Sequence, residues 1–261
     1  MSRLEQLRGS FNQAAQLYDE ARPGYPPPII DTIIELAGLP AQANLLEIGC
    51  GTGQITMPFA ARGYAIRALE LGDALAALAA EKCRPYPHVE IVPVAFEAWP
   101  LQEQAFDLVV SAQAFHWIDP EYGCSKAAAA LKRGGAIALV WNLDVTEQTA
   151  FYQATRSIYA EYLPGSSAGD LEEMVDRYRV ELGQSAAFTG LREIHHAWEH
   201  TYSGADYIKL LHTYSNHRTL PEPDKTRFFQ AIADVIDQTG GAVLRKYETV
   251  LLLAHTPSFG G

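Results

Sequence analysis

The chain has little cysteine and no surplus of positive charge. Cys50, Cys83 and Cys124 are the only three cysteines in 261 residues. An odd, scattered set argues against a disulfide or zinc framework and fits free thiols in a reducing cytoplasm, the expected location. Lys and Arg number 20 against 31 Asp and Glu, a formal net charge of -11. Such a balance provides no basic face for a phosphate backbone, so no nucleic-acid partner is expected. No apolar run approaches membrane-spanning length, and the opening segment MSRLEQLRGSFNQ has no apolar signal core, so no membrane association is expected either.

What is present is ordered around Asn44–Gly53, NLLEIGCGTG. An apolar run carries Glu47 into three alternate glycines, Gly49, Gly51 and Gly53, which reads as a strand, a tight loop and a helix start. Glycine suits a loop that needs φ > 0 and a close approach of ligand to backbone. A dinucleotide fingerprint, G-x-G-x-x-G, would place its last glycine at position 54. That position is Gln54, which disfavours a nicotinamide-dependent oxidoreductase.

Around this loop the periodicity predicts alternating elements. A helix follows Pro28 and stops at Gly38; another runs from Gly53 to about Arg62 across Pro58. The second strand, Tyr64–Leu69, ends in Glu70, about twenty residues beyond the loop, where a βαβ unit places a carboxylate for the ribose hydroxyls. Asp73 is read as the cap of a helix reaching Cys83, and Val89–Val94 as a third strand. Phe106–Ala112 is a continuous apolar strand of the kind buried on both faces of a parallel sheet. A helix over 119–132, ended by Lys132, Arg133 and two glycines, leads to a fifth strand at Ala136–Trp141. Beyond it, 146–161, 170–181, 206–214 and 223–238 read as helices around the loop 163–167, and 191–202 and 243–254 alternate as strands. The expected fold class is α/β, a Rossmann-like doubly wound sheet, mostly parallel with an antiparallel C-terminal strand pair and helical lid insertions. The expected organisation is an arm (1–27), a ligand-binding core (28–145) and lid insertions with the last two strands (146–261).

The arm carries Tyr18, Arg22 and Tyr25 on a Pro- and Gly-rich stretch expected to be extended; its tyrosines either pin the arm to the core or touch the ligand. His116, after the fourth strand, either packs beside Trp117 or accepts a proton in catalysis. The run IHHAWEHTY is not read as a metal site. On a strand His195 and His196 face opposite ways, and His196 lies roughly 13 Å from His200.

The segments YDEARPGYP, LLEIGCGTG, Glu70, AFEAWP, FDLVVSAQAFHW and LKRGGAIALVWN occur in the order found in class I S-adenosylmethionine-dependent methyltransferases. The chain resembles most closely their small-molecule branch, which includes trans-aconitate methyltransferase-like proteins. The resemblance covers residues 15–145. It implies S-adenosyl-L-methionine as cofactor, with Gly49, Gly51 and Gly53 around its methionine and ribose parts. Glu47 would orient the loop or the ligand's amino group, and Glu70 would hold the ribose. Phe96 and Glu97 would lie at the adenine, the acid position falling on either Glu97 or Ala95. Ala112 and Gln113 would line the methionine side, while Tyr18 and Arg22 close over the site, Arg22 toward the cofactor carboxylate. The implied activity is methyl transfer to a small-molecule acceptor, a carboxylate or a hydroxyl. Tyr159, Tyr162, Tyr207 and Tyr214 suit a partly apolar acceptor pocket. A noncatalytic protein that binds or senses the same cofactor is the alternative.

Overall fold

The structure is a computed structural model that describes residues 15–146, 149–164 and 169–258. The first 14 residues of the expected arm, and residues 165–167 of the expected loop, lie outside the described residues. Seven strands form one sheet: β1 (Asn44–Ile48), β2 (Ala65–Leu69), β3 (Val89–Val92), β4 (Phe106–Ala112), β5 (Leu131–Asp144), β6 (Thr189–Ser203) and β7 (Ala242–His255), in spatial order β3-β2-β1-β4-β5-β7-β6. The first five pair in parallel, and β7 inserts antiparallel between β5 and β6. The helices are α1 (Ala15–Ala21), α2 (Pro27–Ala37), α3 (Thr56–Ala60), α4 (Asp73–Cys83), α5 (Pro120–Ala130), α6 (Ala150–Tyr162), α7 (Gly169–Gln184), α8 (Gly204–His212), α9 (Ser215–Arg218) and α10 (Asp224–Gln238).

Alternation along the central strands builds two cores, one on each face. Leu46, Val109, Ile137 and Leu139 pack with Cys124 and Ala127 of α5 and Val175 and Tyr178 of α7. Their neighbours Leu45, Leu108, Val110 and Ala138 pack with Ile29, Ile30 and Ile33 of α2 and Phe59 of α3. A third cluster, separate from both, joins Tyr207 and Leu210 of α8 to Phe228 and Ile232 of α10 and to Tyr247 of β7. It forms the cap beyond the strand ends. None of the described helices is long and apolar enough to cross a membrane.

Several local expectations need correction. Residues 15–21 of the arm are helical, and only the stretch ending at Pro26 is extended; Pro and Gly dominate only from Pro23 onward. The helix after the glycine loop is confined to Thr56–Ala60 and the strand after it starts at Ala65. Pro58 is its third residue, within the first turn, where a missing N–H does not interrupt the helical ladder. The cap position of α4 is Gly72, with no side-chain hydrogen bond, and Asp73 is the first helical residue. α5 ends at Ala130, so Lys132 and Arg133 belong to β5. Lys132 Nζ instead reaches both carboxylate oxygens of Asp107 at 2.8 Å, a pairing across β4 and β5 that helix-end reasoning does not anticipate.

Candidate functional site

Parallel register brings the C-terminal ends of β1, β2 and β4 to one edge: Ile48 faces Leu69, and Ala112 faces Val140 beside it. The glycine loop leaves that edge with its own backbone tied down, Gly49 and Cys50 donating to the Leu69 carbonyl at 2.8 and 3.0 Å. All three glycines take positive φ, the region where a side chain is strained. They serve different ends. At Gly49 a Cβ would collide with the Ala114 methyl, so this position is set by packing against the loop after β4. At Gly51 a Cβ would stand 3.7 Å from Tyr18 Cε1, filling the gap between loop and arm. Gly53 closes the turn, its N–H donating to Cys50 O at 2.9 Å, and it lines neither cavity described below.

Two carboxylates flank the loop. Glu70 is buried, and its two oxygens accept from Gly51 N–H and Gly72 N–H, both at 2.8 Å. Burial raises its pKa, partly offset by those backbone donors. It therefore holds the loop as well as facing the cavity, and each oxygen keeps a second acceptor site. Glu47 is 2% exposed, and its Oε2 has no hydrogen-bond partner among the described residues. Burial pushes its pKa up to about 8, against a smaller lowering by the Thr56 hydroxyl; the charge of Glu70 adds to the rise. A buried acid without a partner is the kind of group a ligand completes.

These residues border two cavities, of about 130 Å³ and about 1240 Å³, which share Tyr18, Gly49, Gly51, Ala112, Gln113 and Trp117 as walls. The smaller one continues over Glu70 and Leu71 to the segment after β3, where it meets Val94, Phe96 and Glu97. Phe96 is 3% exposed and its ring stacks at 6.4 Å on Trp99, whereas the Glu97 side chain is exposed at the rim. Gln113 adopts φ 54°, and its amide donates to Asn142 O at 2.9 Å. This strained non-glycine position fixes the wall between the cavities.

The larger cavity holds Glu47, Arg22, His116 and the inner surface of the cap. Asp19 of α1 accepts from Thr52 Oγ1 and from Lys82 Nζ, both at 2.6 Å, which docks the arm on the loop. Arg22 donates from Nε to Thr213 Oγ1 at 2.8 Å and lies 5.2 Å from the Tyr18 ring centre and 4.4 Å from that of Tyr214. Its guanidinium thus spans arm and cap. His116 combines both of its expected placements: it lies 5.0 Å from the Trp117 ring centre and lines the cavity. Trp141 Nε1 donates to its Nδ1 at 3.3 Å. Tyr159, Tyr207 and Tyr214 line the cavity; Tyr162 does not, and packs 6.0 Å from Phe228.

Several lining residues escaped the sequence reading: Asn142, Asp144, Tyr152, His217 and Arg245. Arg245 is 7% exposed and pairs with Asp144. Its signal was available, a cation between Val243 and Tyr247 on the inward face of an alternating strand. His217 was harder to find, being brought in by the four-residue α9. The histidine run is a strand, with His195 between Glu193 at 2.9 Å and Glu248 at 3.0 Å.

Residues 46–139 match the family model described as methyltransferase domain. An uncharacterized methyltransferase of Mycobacterium tuberculosis is 36% identical over 135 residues, 51% of this chain and 52% of that protein; the chain thus spans about half the length of this relative. An uncharacterized methyltransferase of Schizosaccharomyces pombe is 26% identical over 220 residues, 84% of each chain. A solved structure from Anaeromyxobacter dehalogenans, assigned as a type II methyltransferase, superposes with a TM-score of 0.65 at 19% identity, covering 91% of this chain and 99% of that one. Residues 46–139 are thus similar to a methyltransferase domain, and the overall fold is shared with a solved methyltransferase structure.

Proposed function

We propose that the protein transfers a methyl group from S-adenosyl-L-methionine to a small-molecule acceptor held in the larger cavity. The observation that carries this reading is the buried carboxyl of Glu47, its Oε2 without a hydrogen-bond partner among the described residues, beside the Gly49–Gly51 cradle. It is placed to receive the amino group of a methionine moiety, with Arg22 facing the same cavity for the carboxylate. Glu70 keeps acceptor capacity for ribose hydroxyls, and Leu71, Val94 and Phe96 give the smaller cavity apolar walls for a base. When bound, S-adenosylmethionine supplies an electrophilic sulfonium methyl. The chain's part is then to hold the acceptor in line at near-attack distance and to exclude water. The capped, tyrosine-lined cavity supports this reading.

Neither histidine in the cavity stands out as a strong base for the acceptor. The Nδ1 of His116 is engaged by the Trp141 indole N–H, and His217 is held down at a pKa of about 3 by burial and by the charges of Arg245 and Arg22. This favours a nucleophile that is already an anion at neutral pH, a carboxylate rather than a hydroxyl, in line with the carboxylate-acting branch the sequence resembles. The test is incubation with methyl-labelled S-adenosylmethionine and a panel of small acids, alcohols and amines, with products identified by mass. Label in an acid's ester is expected. Label confined to alcohols or amines refutes the acceptor class, and donor binding without transfer to any acceptor supports a binding or sensing protein instead.

A further inference from the structure

The polar cluster on the cap side of the larger cavity has more organisation than an enclosing wall requires. Its centre is Arg245, which projects from β7 with Val243 and Tyr247 into the cavity and the apolar cap. Of its five N–H groups, one reaches the Tyr214 hydroxyl at 2.6 Å and one reaches Asp144, while Nε has no partner among the described residues. A fully paired structural arginine would satisfy more of these donors once buried. Asp144 is itself well covered, one oxygen by Thr146 N–H at 3.1 Å and the Thr146 hydroxyl, the other by the Tyr152 hydroxyl at 3.0 Å. It fixes the guanidinium rather than competing with it. On the other side of Tyr214 stands Arg22, 4.4 Å from its ring centre, against 5.9 Å for Arg245.

The cluster is cationic. His217, which donates to or accepts from Tyr159 and Asn216, is kept uncharged by burial and by the two arginines. At the cavity's edges Arg156 offsets Glu172, and Glu248 is engaged by His195. In the interior Arg22 and Arg245 face Asp144 and the carboxyl of Glu47, whose charge burial disfavours. The position matters as much as the sign. Asp144, which Arg245 touches, is four residues beyond Val140, the residue opposite the end of β4. At strand rise this is roughly 13 Å past the edge that carries the glycine loop.

We propose that Arg245, with the Tyr214 hydroxyl, is a specificity-determining anchor for a carboxylate or phosphate group at the far end of the acceptor, away from the atom that receives the methyl group. This rests on the methyl-transfer reading for the word acceptor, but the anchor is a binding claim that stands or falls without catalysis. The cavity volume suits an extended ligand of drug-like size. A planar guanidinium fork and a phenol hydroxyl suit oxyanion geometry, and a neutral amide of the same shape would leave the fork uncompensated.

The test titrates 4-phenylbutanoate, phenyl phosphate and 4-phenylbutanamide into the full chain by calorimetry, with and without saturating S-adenosylmethionine. The saturated arm blocks the methionine subsite and so removes Arg22's share. At least one anion should bind tenfold or more tightly than the amide, and which anion does so separates a carboxylate from a phosphate source. Arg245→Lys and Tyr214→Phe should each cost roughly tenfold or more in anion affinity while leaving S-adenosylmethionine affinity unchanged. Because removing one partner of a buried pair can unfold a protein, Arg245→Met with Asp144→Leu removes both charges together. That double variant should bind S-adenosylmethionine as the parent does and show no preference for the anions. Equal binding of amide and anions, no binding of any of the three, or an anion preference that survives in the double variant overturns the anchor. Anion binding with no S-adenosylmethionine binding instead overturns the donor reading and leaves the anchor in place.

Discussion

Glu47→Gln separates the ligand reading of the loop from a structural one through pH. The Glu47 carboxyl is buried, and that burial pushes its pKa up to about 8 from the ordinary value of 4.5. An acid whose pKa is raised on folding holds its proton in the folded state after the unfolded chain has released it. Stability is thus lost as pH rises from about 4.5 to about 8, at ~1.4 kcal/mol per pH unit, and the loss levels off above that. From pH 5 to 7 this amounts to roughly 3 kcal/mol for the ligand-free protein. Glu47→Gln keeps the shape and removes the titration. The difference in unfolding free energy between variant and parent, from urea melts at several pH values, should therefore grow in the variant's favour across this range. Cofactor binding supplies the second arm: if Glu47 ionises to meet an ammonium group, ~0.9 of a proton is released at pH 7 by the parent and none by the variant. Calorimetry in two buffers of different ionisation enthalpy reads that number directly. A stability difference independent of pH, or the same proton release from both proteins, would refute the reasoning.

Other outcomes follow from the same geometry. Glu70→Ala removes the acceptor of two loop N–H groups and should weaken S-adenosylmethionine binding roughly ten- to a hundredfold, as expected for charged hydrogen bonds; titration calorimetry showing unchanged affinity would remove both the ribose and the loop role. Gly49→Ala meets the Ala114 methyl and a φ of 72°, so it should destabilise the fold by about 2 kcal/mol or more in denaturant melts. A neutral result would show that β1 and β4 do not approach as described. All three cysteines are buried, and burial pushes the Cys124 thiol up to about 12. Alkylation by iodoacetamide at pH 8 should therefore be slow in the native protein and complete in urea; fast native labelling of Cys124 would contradict its placement.

How far the sequence could be read depended on whether a residue's role was local. The order of the first five strands, the antiparallel final pair and the convergence of Gly49, Gly51, Glu70 and Gln113 on one edge follow from period and spacing, because parallel register aligns strand ends wherever the strands lie. Three alternate glycines look alike in one dimension, while Gly49 and Gly51 line both cavities and Gly53 closes the turn behind them. Residues of the cap were illegible for a related reason. Arg245, Asp144 and His217 lie on three separate elements, β7, β5 and α9, and their meeting depends on how these fold over the strand ends. His116 was seen to have two possible placements. The Trp141 indole, 25 residues away in sequence, engages its Nδ1, a contact that no local pattern announces.

The central claim is that the loop from Glu47 to Gly53, with Glu70 behind it, receives a methyl donor. Calorimetric titration of the full chain with S-adenosylmethionine tests this most directly, with NAD as the comparison. The account predicts saturable binding of S-adenosylmethionine at one site, weakened in Glu70→Ala, and none of NAD. Absence of S-adenosylmethionine binding, or binding of NAD in its place, would contradict it.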